Sequence, residues 1–284
     1  MEEGECMRIF RSLKTQYLYL FLIMAFTLFP FFWLVFNSFK PSREIFSARP
    51  TLYVKNPTLE NYRWALGPKG ANLGRYLLNS ILAAGLTSLL TIVFATTGGY
   101  ALGRFAFWGR EGIGVFLVLS QMFQGPLIMI PWYKMASAMG IINTRLVLVL
   151  IYGTATIPTC VWLMSGFYHG VPKDLEEAAM IDGCSHFGAF WRIVLPLVVP
   201  GIIATGLYSF IIAWNDYQYA LILTSSDFAK TVQVGLAELM GFFGKTSWGG
   251  IMASGVLTSL PVIVLFVVIQ RYLIEGLTSG AVKS

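Results

Sequence analysis

The sequence predicts an all-α integral membrane protein with six transmembrane helices and one short helix in a loop between two spans. Hydrophobic residues make up 56% of the 284-residue chain and charged residues only 12%, against roughly a quarter in soluble domains. The few charges are spaced so that they leave six long apolar windows. A polar loop after the fourth window carries a helix, a glycine and a second helix. These three observations predict the fold class.

The six windows are 22 to 28 residues long and contain no charged residue. A helix that crosses the hydrocarbon core needs about 20 apolar residues, and it satisfies its own backbone hydrogen bonds. Small residues inside such helices favour close packing, which is the role expected of Gly98, Gly99, Gly201 and Gly206. After an N-terminal tail at 1–15, the transmembrane domain at 16–284 is predicted to have spans at about 16–39, 76–103, 112–133, 146–168, 193–215 and 246–270.

The lysines and arginines lie between the windows, and no basic stripe with interleaved aromatic residues occurs. The net charge of +6 therefore indicates a membrane lipid environment and not a nucleic acid partner. Six spans place both termini on one side. When the long, proline-rich segment 40–75 is left out, nine Lys and Arg residues share that side and four lie opposite. We therefore expect both termini to be cytoplasmic and segment 40–75 to form a small folded cap outside.

Catalytic and metal-binding patterns are not found in the sequence. Neither the three cysteines nor the two histidines have the spacing of metal ligands. Segment 239–246 ends in Gly-Lys-Thr, but leucine stands where a phosphate-binding loop requires its first glycine. That segment also falls on the outer side. We expect a chain that is not an enzyme and that binds no cofactor.

The loop after the fourth window has the local chemistry of a helix, a break and a second helix. Pro172 and Asp174 suit a helix start, because proline fixes φ and a carboxylate faces the positive end of the helix dipole. Residues 175–180 favour a helix interior, and Gly183 suits the left-handed conformation that closes a helix. On these grounds alone the loop is either a docking element for another protein or an ordinary solvated connector.

The spacing of residues in this loop is more specific than its composition. Glu177-Ala178-Ala179 is followed by Gly183, then after nine intervening residues by Ile193, and then by Leu195-Pro196. This pattern resembles the EAA signature of binding-protein-dependent ABC importer permeases. Segments at 30–41, 57–62, 214–217, 230–236 and 270–283 are similar to those of carbohydrate-uptake permeases related to the smaller maltose permease. Gln233 departs from that group, in which proline is expected.

The resemblance implies the transmembrane domain of a type I ABC importer, located in a prokaryotic inner membrane and driven by ATP to import a sugar. It implies a second permease subunit, two ATP-binding subunits that hold ATP and Mg, and an extracytoplasmic solute-binding protein. It makes 169–196 a coupling loop with Gly183 as its pivot. The residues expected to couple to the ATP-binding subunit are Glu176, Glu177, Ala178, Ala179, Met180, Ile181, Gly183, Ile193, Leu195 and Pro196.

Polar residues in or beside the apolar spans are the candidates for a sugar pathway, because burying them is unfavourable unless they face water or a partner. Interhelical hydrogen bonding is the alternative. An ion-coupled secondary transporter and a membrane-bound enzyme subunit are the rival functions, but the former should have a mid-membrane carboxylate or inverted repeats and the latter a catalytic set. The pathway candidates are Asn79, Gln121, Gln124, Tyr152, Asn215, Asp216 and Tyr217.

Overall fold

The computed structural model describes residues 2–47, 51, 53–123, 125–241 and 247–281. No strand occurs in this part of the chain, so the predicted all-α class is confirmed. A 3-10 turn at Gln121–Phe123 and a π-helical turn at Phe190–Val194 interrupt the α-helices. The α-helices are α1 (Glu2–Ser38), α2 (Ser42–Ile45), α3 (Glu60–Leu66), α4 (Leu73–Arg104), α5 (Arg110–Ser120), α6 (Pro126–Ala138), α7 (Arg145–Gly170), α8 (Asp174–Ile181), α9 (His186–Ala189), α10 (Leu195–Leu197), α11 (Val199–Asn215), α12 (Gln218–Leu223), α13 (Val232–Gly241) and α14 (Trp248–Ala281).

Four helices are long and apolar enough to cross a membrane. They are α4, α7, the part of α1 from Gln16 to Ser38 and the part of α14 from Trp248 to Arg271. Helices α4 and α7 extend the predicted spans 76–103 and 146–168 by at most three residues at either end. The bent pair His186–Leu197 and Val199–Asn215 makes a fifth crossing if it is counted as one span.

The predicted continuous helix at 112–133 is instead divided in two. Helix α5 ends at Ser120, a 3-10 turn follows, and α6 begins at Pro126. Gly125 has φ +90°, which a right-handed helix cannot continue through. Proline at the first helical position also restrains the residue before it to an extended conformation. The apolar composition of the window did not predict this break.

The predicted helix at 193–215 is likewise not continuous. Its first residues belong to the π-helical turn and α10, and the chain bends by 72° before α11. Pro196 and Pro200 both lack a backbone N–H, and each is at the beginning of a helix. The bend therefore separates the end of the 169–196 loop from the apolar helix that follows it.

The chain folds into two compact units, of which one comprises residues 1–72 and 239–259. In this unit the buried Asn61 amide donates 2.8 Å hydrogen bonds to the carbonyl oxygens of Ser38 and Lys40. The hydroxyl groups of Ser38 and Tyr62 lie 2.6 Å apart, and a Cβ added to Gly249 would lie 2.6 Å from the Asn61 side chain. Segment 40–72 is therefore fixed against the end of α1 by buried polar groups.

The other unit comprises residues 73–238 and 260–284 and has α4, α7 and α11 packed together at its centre. A Cβ added to Gly99 of α4 would lie 2.6 Å from the Cβ of Met164 on α7, so only glycine allows this approach. Buried hydroxyl groups of Thr91 and Thr156 lie 2.9 Å apart across the same pair of helices. One buried hydrophobic cluster of this unit consists of Ala95, Leu102, Cys160, Val161, Met164, Tyr168, Phe190, Val194 and Val198.

Candidate functional site

The loop between α7 and α11 has the helix and the glycine break that its sequence predicts. Helix α8 begins at Asp174, and its first turn carries three acidic residues, which interact favourably with the helix dipole. At its other end Gly183 has φ +89°. The Gly183 N–H donates to the Met180 carbonyl at 3.1 Å, and the Cys184 N–H donates to the Ala179 carbonyl at 3.0 Å. This pair of bonds is a Schellman closure, which fixes the end of α8.

The chain after Gly183 turns immediately into a second helical segment. The Ser185 hydroxyl accepts a 3.1 Å hydrogen bond from the Gly188 N–H and thereby caps α9. Helix α9 runs into the π-helical turn that contains Ile193, and α10 contains Leu195 and Pro196. The loop is therefore a chain of short helices with defined caps, and the end of this chain leads directly to α11.

One face of α8 is exposed. It carries Asp174, Glu177, Ala178 and Ile181, whose spacing of three and four residues places them on one side of the helix. Ile181 is 86% exposed, although isoleucine is among the residues most often buried. Large exposed apolar side chains continue beyond the glycine break at Phe187 and Trp191. Exposed large apolar side chains beside acidic groups are typical of a contact site for another protein.

The opposite face of α8 packs against its own chain. Ala179 is buried, and the side chain of Glu176 is only 13% exposed. Glu176 Oε2 lies 3.3 Å from Nε of Arg104, the last residue of α4, and Oε1 accepts a 3.1 Å hydrogen bond from the Tyr100 hydroxyl. The sequence grouped Glu176 with the docking residues, but the structure places its carboxylate against α4.

The Arg104 guanidinium is 4% exposed and incompletely hydrogen-bonded. Its Nε is close enough to Glu176 for an ion pair but is not aimed for a hydrogen bond, and Nη2 has no partner within the described residues. Aromatic rings surround this pair. The Tyr100 ring centroid lies 4.5 Å from that of Phe190 and 5.4 Å from that of Tyr168. Residues from α4, α7 and the π-helical turn therefore meet around one buried charge pair.

Two of the predicted pathway residues contact each other. The Tyr152 hydroxyl donates a 2.8 Å hydrogen bond to Oδ2 of Asp216, just beyond the end of α11. The Asp216 carboxylate also accepts hydrogen bonds from the backbone N–H groups of Ala220 at 3.0 Å and Tyr219 at 3.4 Å, so it caps α12. Burial raises the pKa of Asp216 above its ordinary value, and these hydrogen bonds oppose the shift.

Asn79 is fully buried, and its amide is already hydrogen-bonded. It donates to the carbonyl oxygens of Asp227 at 3.1 Å and Lys230 at 2.8 Å, and it accepts from Arg145 Nε at 2.9 Å. The Arg145 guanidinium also stacks over the ring of Phe228 at 4.4 Å. These contacts match interhelical hydrogen bonding, the alternative to a pathway role.

The remaining pathway candidates do not form one cluster. Gln121 begins the 3-10 turn between α5 and α6, and Gln124 lies outside the described residues. Asn215 and Tyr217 are exposed on either side of Asp216. The sequence did not identify Arg104 or Tyr100 as site residues, because an arginine at the end of a span is expected to flank the membrane. The available signal in the sequence was the adjacent pair Glu176 and Glu177, because a helix places neighbouring residues on different faces and one of the two glutamates must then face the rest of the chain.

In the described part of the chain, no group of three or more His, Cys, Asp or Glu residues lies close enough together to hold a metal ion. His169 has Nδ1 2.7 Å from the Ser165 carbonyl oxygen and Nε2 3.1 Å from Arg110 Nη2. The Gly-Lys-Thr of segment 239–246 lies outside the described residues.

Known proteins resemble this chain over most of its length. It is 37% identical over 264 residues to the inner membrane ABC transporter permease protein YcjP of Escherichia coli (strain K12), covering 93% of each chain. It is 36% identical over 256 residues to the trehalose/maltose transport system permease protein MalG of Thermococcus litoralis (strain ATCC 51850 / DSM 5473 / JCM 8560 / NS-C), covering 90% of this chain and 91% of the relative.

The fold also matches a solved structure. A chain of a bacterial ABC transporter involved in the import of the acidic polysaccharide alginate aligns with a TM-score of 0.80 and 22% identity, covering 93% of this chain and 96% of that one. The family model described as binding-protein-dependent transport system inner membrane component matches residues 6–279. Members of this family are components of binding-protein-dependent transport systems, so an ion-coupled secondary transporter and a membrane-bound enzyme subunit are set aside as functions. The helical architecture, the two-faced α8 and these likenesses lead to one conclusion: the chain belongs to the family of inner membrane components of binding-protein-dependent transport systems, the permease subunits of ABC transporters.

Proposed function

We propose that this chain is one permease subunit of an ATP-driven sugar importer and forms half of its translocation pathway by alternating access. The exposed face of α8 carries the proposal, because an 86% exposed isoleucine on a helix whose C-terminal end is fixed is the kind of surface that a protein partner covers. Sugar is the proposed cargo because the MalG relative is named for trehalose and maltose and the solved transporter imports alginate.

The chain is proposed to cross the inner membrane six times. Helices α5 and α6 together form the third crossing, and α11, preceded by the bent segment, forms the fifth. Parity then places α8 on the side of both termini, which the distribution of lysine and arginine assigns to the cytoplasm. This orientation presents α8 to subunits that bind cellular ATP.

The partners follow from the family. A second permease subunit would complete the pathway, two ATP-binding subunits would hold ATP and Mg, and an extracytoplasmic solute-binding protein would deliver the sugar. On this chain the docking residues are those of the exposed face of α8, with Glu177 available to a basic or hydrogen-bonding group and Ile181 to an apolar pocket. Gly183 closes the docking helix, and Ile193, Leu195 and Pro196 join it to α11.

Coupling would then proceed through short, rigid elements. Movement of an ATP-binding subunit displaces α8, whose C-terminal end is fixed by the Schellman closure and is followed directly by α9 with its Ser185 cap. The displacement reaches α11 through the π-helical turn and the 72° bend, and rotation of α11 opens one side of the pathway while closing the other. At the far end of α11, Tyr152, Asn215, Asp216 and Tyr217 are the residues proposed to face the sugar.

Purification of the whole complex tests this proposal. We expect an ATP-binding subunit to remain bound to the wild-type chain through detergent extraction. Ile181→Asp should weaken that binding by about tenfold or more, because burying a new carboxylate in an apolar pocket is unfavourable. Glu111→Gln, a charge removal outside the loop, is the matched control and should bind as the wild type does. Retention of the subunit at wild-type affinity by Ile181→Asp would contradict the docking role.

The sugar is identified by a separate measurement. The solute-binding protein that binds the purified complex is isolated, and its thermal unfolding is followed with a panel of mono- and oligosaccharides. A sugar that binds the folded protein raises its melting temperature in proportion to RT ln(1 + [L]/Kd). A response to amino acids or metal ions, with none to any sugar, would overturn the proposed cargo.

A further inference from the structure

A buried carboxylate on the inner face of α8 requires an explanation. Glutamate side chains in loops are mostly exposed. The side chain of Glu176 is nevertheless only 13% exposed, and that of its partner Arg104 is 4% exposed. Removing two charges from water is unfavourable unless their geometry compensates. Glu177, one residue later, is exposed. The two adjacent glutamates therefore have different environments.

The position of Arg104 shows what the buried pair connects. Arg104 is the last residue of α4, and Tyr100 lies one turn earlier on the same face. Both contact Glu176, the arginine as an ion pair and the tyrosine by donating a hydrogen bond from its hydroxyl. The chain itself already joins α8 to α7 and to α11. Glu176 adds a third attachment, to the end of α4, which is separated from the start of α8 by 69 residues of the chain, 105–173.

The surroundings of Tyr100 make this third attachment stiff. Its ring contacts Phe190 of the π-helical turn and Tyr168 of α7, with centroid distances of 4.5 Å and 5.4 Å. The Tyr168 hydroxyl in turn donates a 3.1 Å hydrogen bond to the Thr96 carbonyl of α4. Displacement of Glu176 would therefore act on packed side chains from three elements.

We propose that Glu176 is a positioning residue that fixes α8 to the end of α4 through Arg104 and Tyr100, and that it is not a docking residue. Motion imposed on the exposed face of α8 is thereby transmitted to the second span as well as to α11. Arg104 Nε and Nη2 make no hydrogen bond within the described residues, so the guanidinium keeps free donors for a carboxylate that shifts during the cycle. This inference rests on the proposed function.

The test uses the full complex in proteoliposomes and needs no sugar. The cysteines of this chain are replaced by alanine, and Tyr217→Cys, an exposed position beyond the far end of α11, reports movement there. The labelling rate at this cysteine is compared with and without ATP, Mg²⁺ and vanadate. Affinity for the ATP-binding subunit is measured in the same preparations. The variants are Glu176→Gln, Arg104→Gln and the charge exchange Arg104→Glu with Glu176→Arg, with Ile181→Asp for comparison.

We expect Glu176→Gln and Arg104→Gln to bind the ATP-binding subunit as the wild type does and to retain its ATP hydrolysis. The ATP-dependent change in labelling should fall about tenfold, which is within the range of typical coupling effects. The charge exchange should restore at least part of it, since the ion pair is re-formed with its partners reversed. A purely structural role would instead lower assembly with the ATP-binding subunit and ATP hydrolysis together with the labelling change.

The inference would be overturned if Glu176→Gln weakened binding of the ATP-binding subunit as much as Ile181→Asp does and if the charge exchange did not restore that binding. If the Glu176→Gln complex does not assemble, Arg104→Lys, which retains the positive charge, and Tyr100→Phe, which retains the aromatic ring, take its place. They are judged by the same two measurements, the affinity for the ATP-binding subunit and the ATP-dependent change in labelling. A wild-type complex that holds no ATP-binding subunit, or that shows no ATP-dependent change at residue 217, contradicts the proposed function instead.

Discussion

The glycine that closes α8 allows a graded test of how rigid the coupling loop must be. Gly183 has φ +89°, and a Cβ added there would have no atom within 4 Å, so a substitution meets backbone strain but no clash. An L-residue in the left-handed conformation costs about 1–2 kcal/mol. Asparagine tolerates this conformation better than alanine. The loss of coupling is therefore expected to increase from Gly183→Asn to Gly183→Ala and to be largest for Gly183→Pro.

The magnitudes differ enough to be measured. Gly183→Ala should depopulate the closed loop by a factor of about 5 to 30, which corresponds to one or two kcal/mol. Gly183→Pro fixes φ near −65° and also removes the N–H that donates to Met180, so it should cost about 3 kcal/mol or more. Gly170→Ala, also in open space but without a positive φ, is the control and should behave as the wild type.

The assay measures ATP hydrolysis and sugar uptake in the same proteoliposomes. We expect the complexes to assemble in all variants, while the amount of sugar imported per ATP falls in the order Asn, Ala and Pro. Equal coupling in wild type, Gly183→Ala and Gly183→Pro would show that the left-handed closure is not needed to transmit motion. A defect of the same size in Gly170→Ala would refute the argument from φ.

Three further predictions concern the helix core and the far end of α11. Gly99→Val should lower the free energy of unfolding by about 1–3 kcal/mol, because the valine side chain would overlap Met164. Gly85→Ala is the control, since a Cβ added at Gly85 has open space, and it should leave thermal unfolding unchanged. Asn79→Ala should lower the melting temperature, since each buried group left unsatisfied costs about 1–3 kcal/mol, without changing which sugar is imported. Because the pKa of Asp216 is raised in the folded chain, the stability that this carboxyl group contributes is present below the ordinary aspartate pKa and is lost as the pH rises through the raised pKa. Asp216→Asn should therefore remove this part of the pH dependence of unfolding in the acid range.

The sequence was informative wherever one local rule decided the structure. Charge-free windows predicted α4 and α7 to within a few residues, because a long apolar helix has no alternative in lipid. Local propensity and Gly183 predicted α8 and its closure. The breaks at Gly125 and before Val199 were missed, because window counting measures hydrophobicity and ignores the backbone conformation that glycine and proline impose.

The roles of individual polar residues depended on partners far away in the sequence. Glu176 and Glu177 are equivalent by composition, and only the position of Arg104, at the end of another helix, separates them. Asn79 is polar within an apolar window, as a pathway residue would be, but its partners lie about 150 residues later at Asp227 and Lys230. Such pairings follow from helix packing, which no local pattern in one sequence specifies.

The exposed face of α8 also has a consequence for a copy of this chain that has not yet met its partners. Ile181, Phe187 and Trp191 are 86%, 72% and 53% exposed, on a loop that we assign to the cytoplasm and not to lipid. Until an ATP-binding subunit covers them, these side chains are open to chaperones and to proteases that recognise apolar segments. We therefore expect surplus permease to be removed and assembled permease to be spared, so that the surface proposed to couple transport would also set the ratio in which the subunits accumulate.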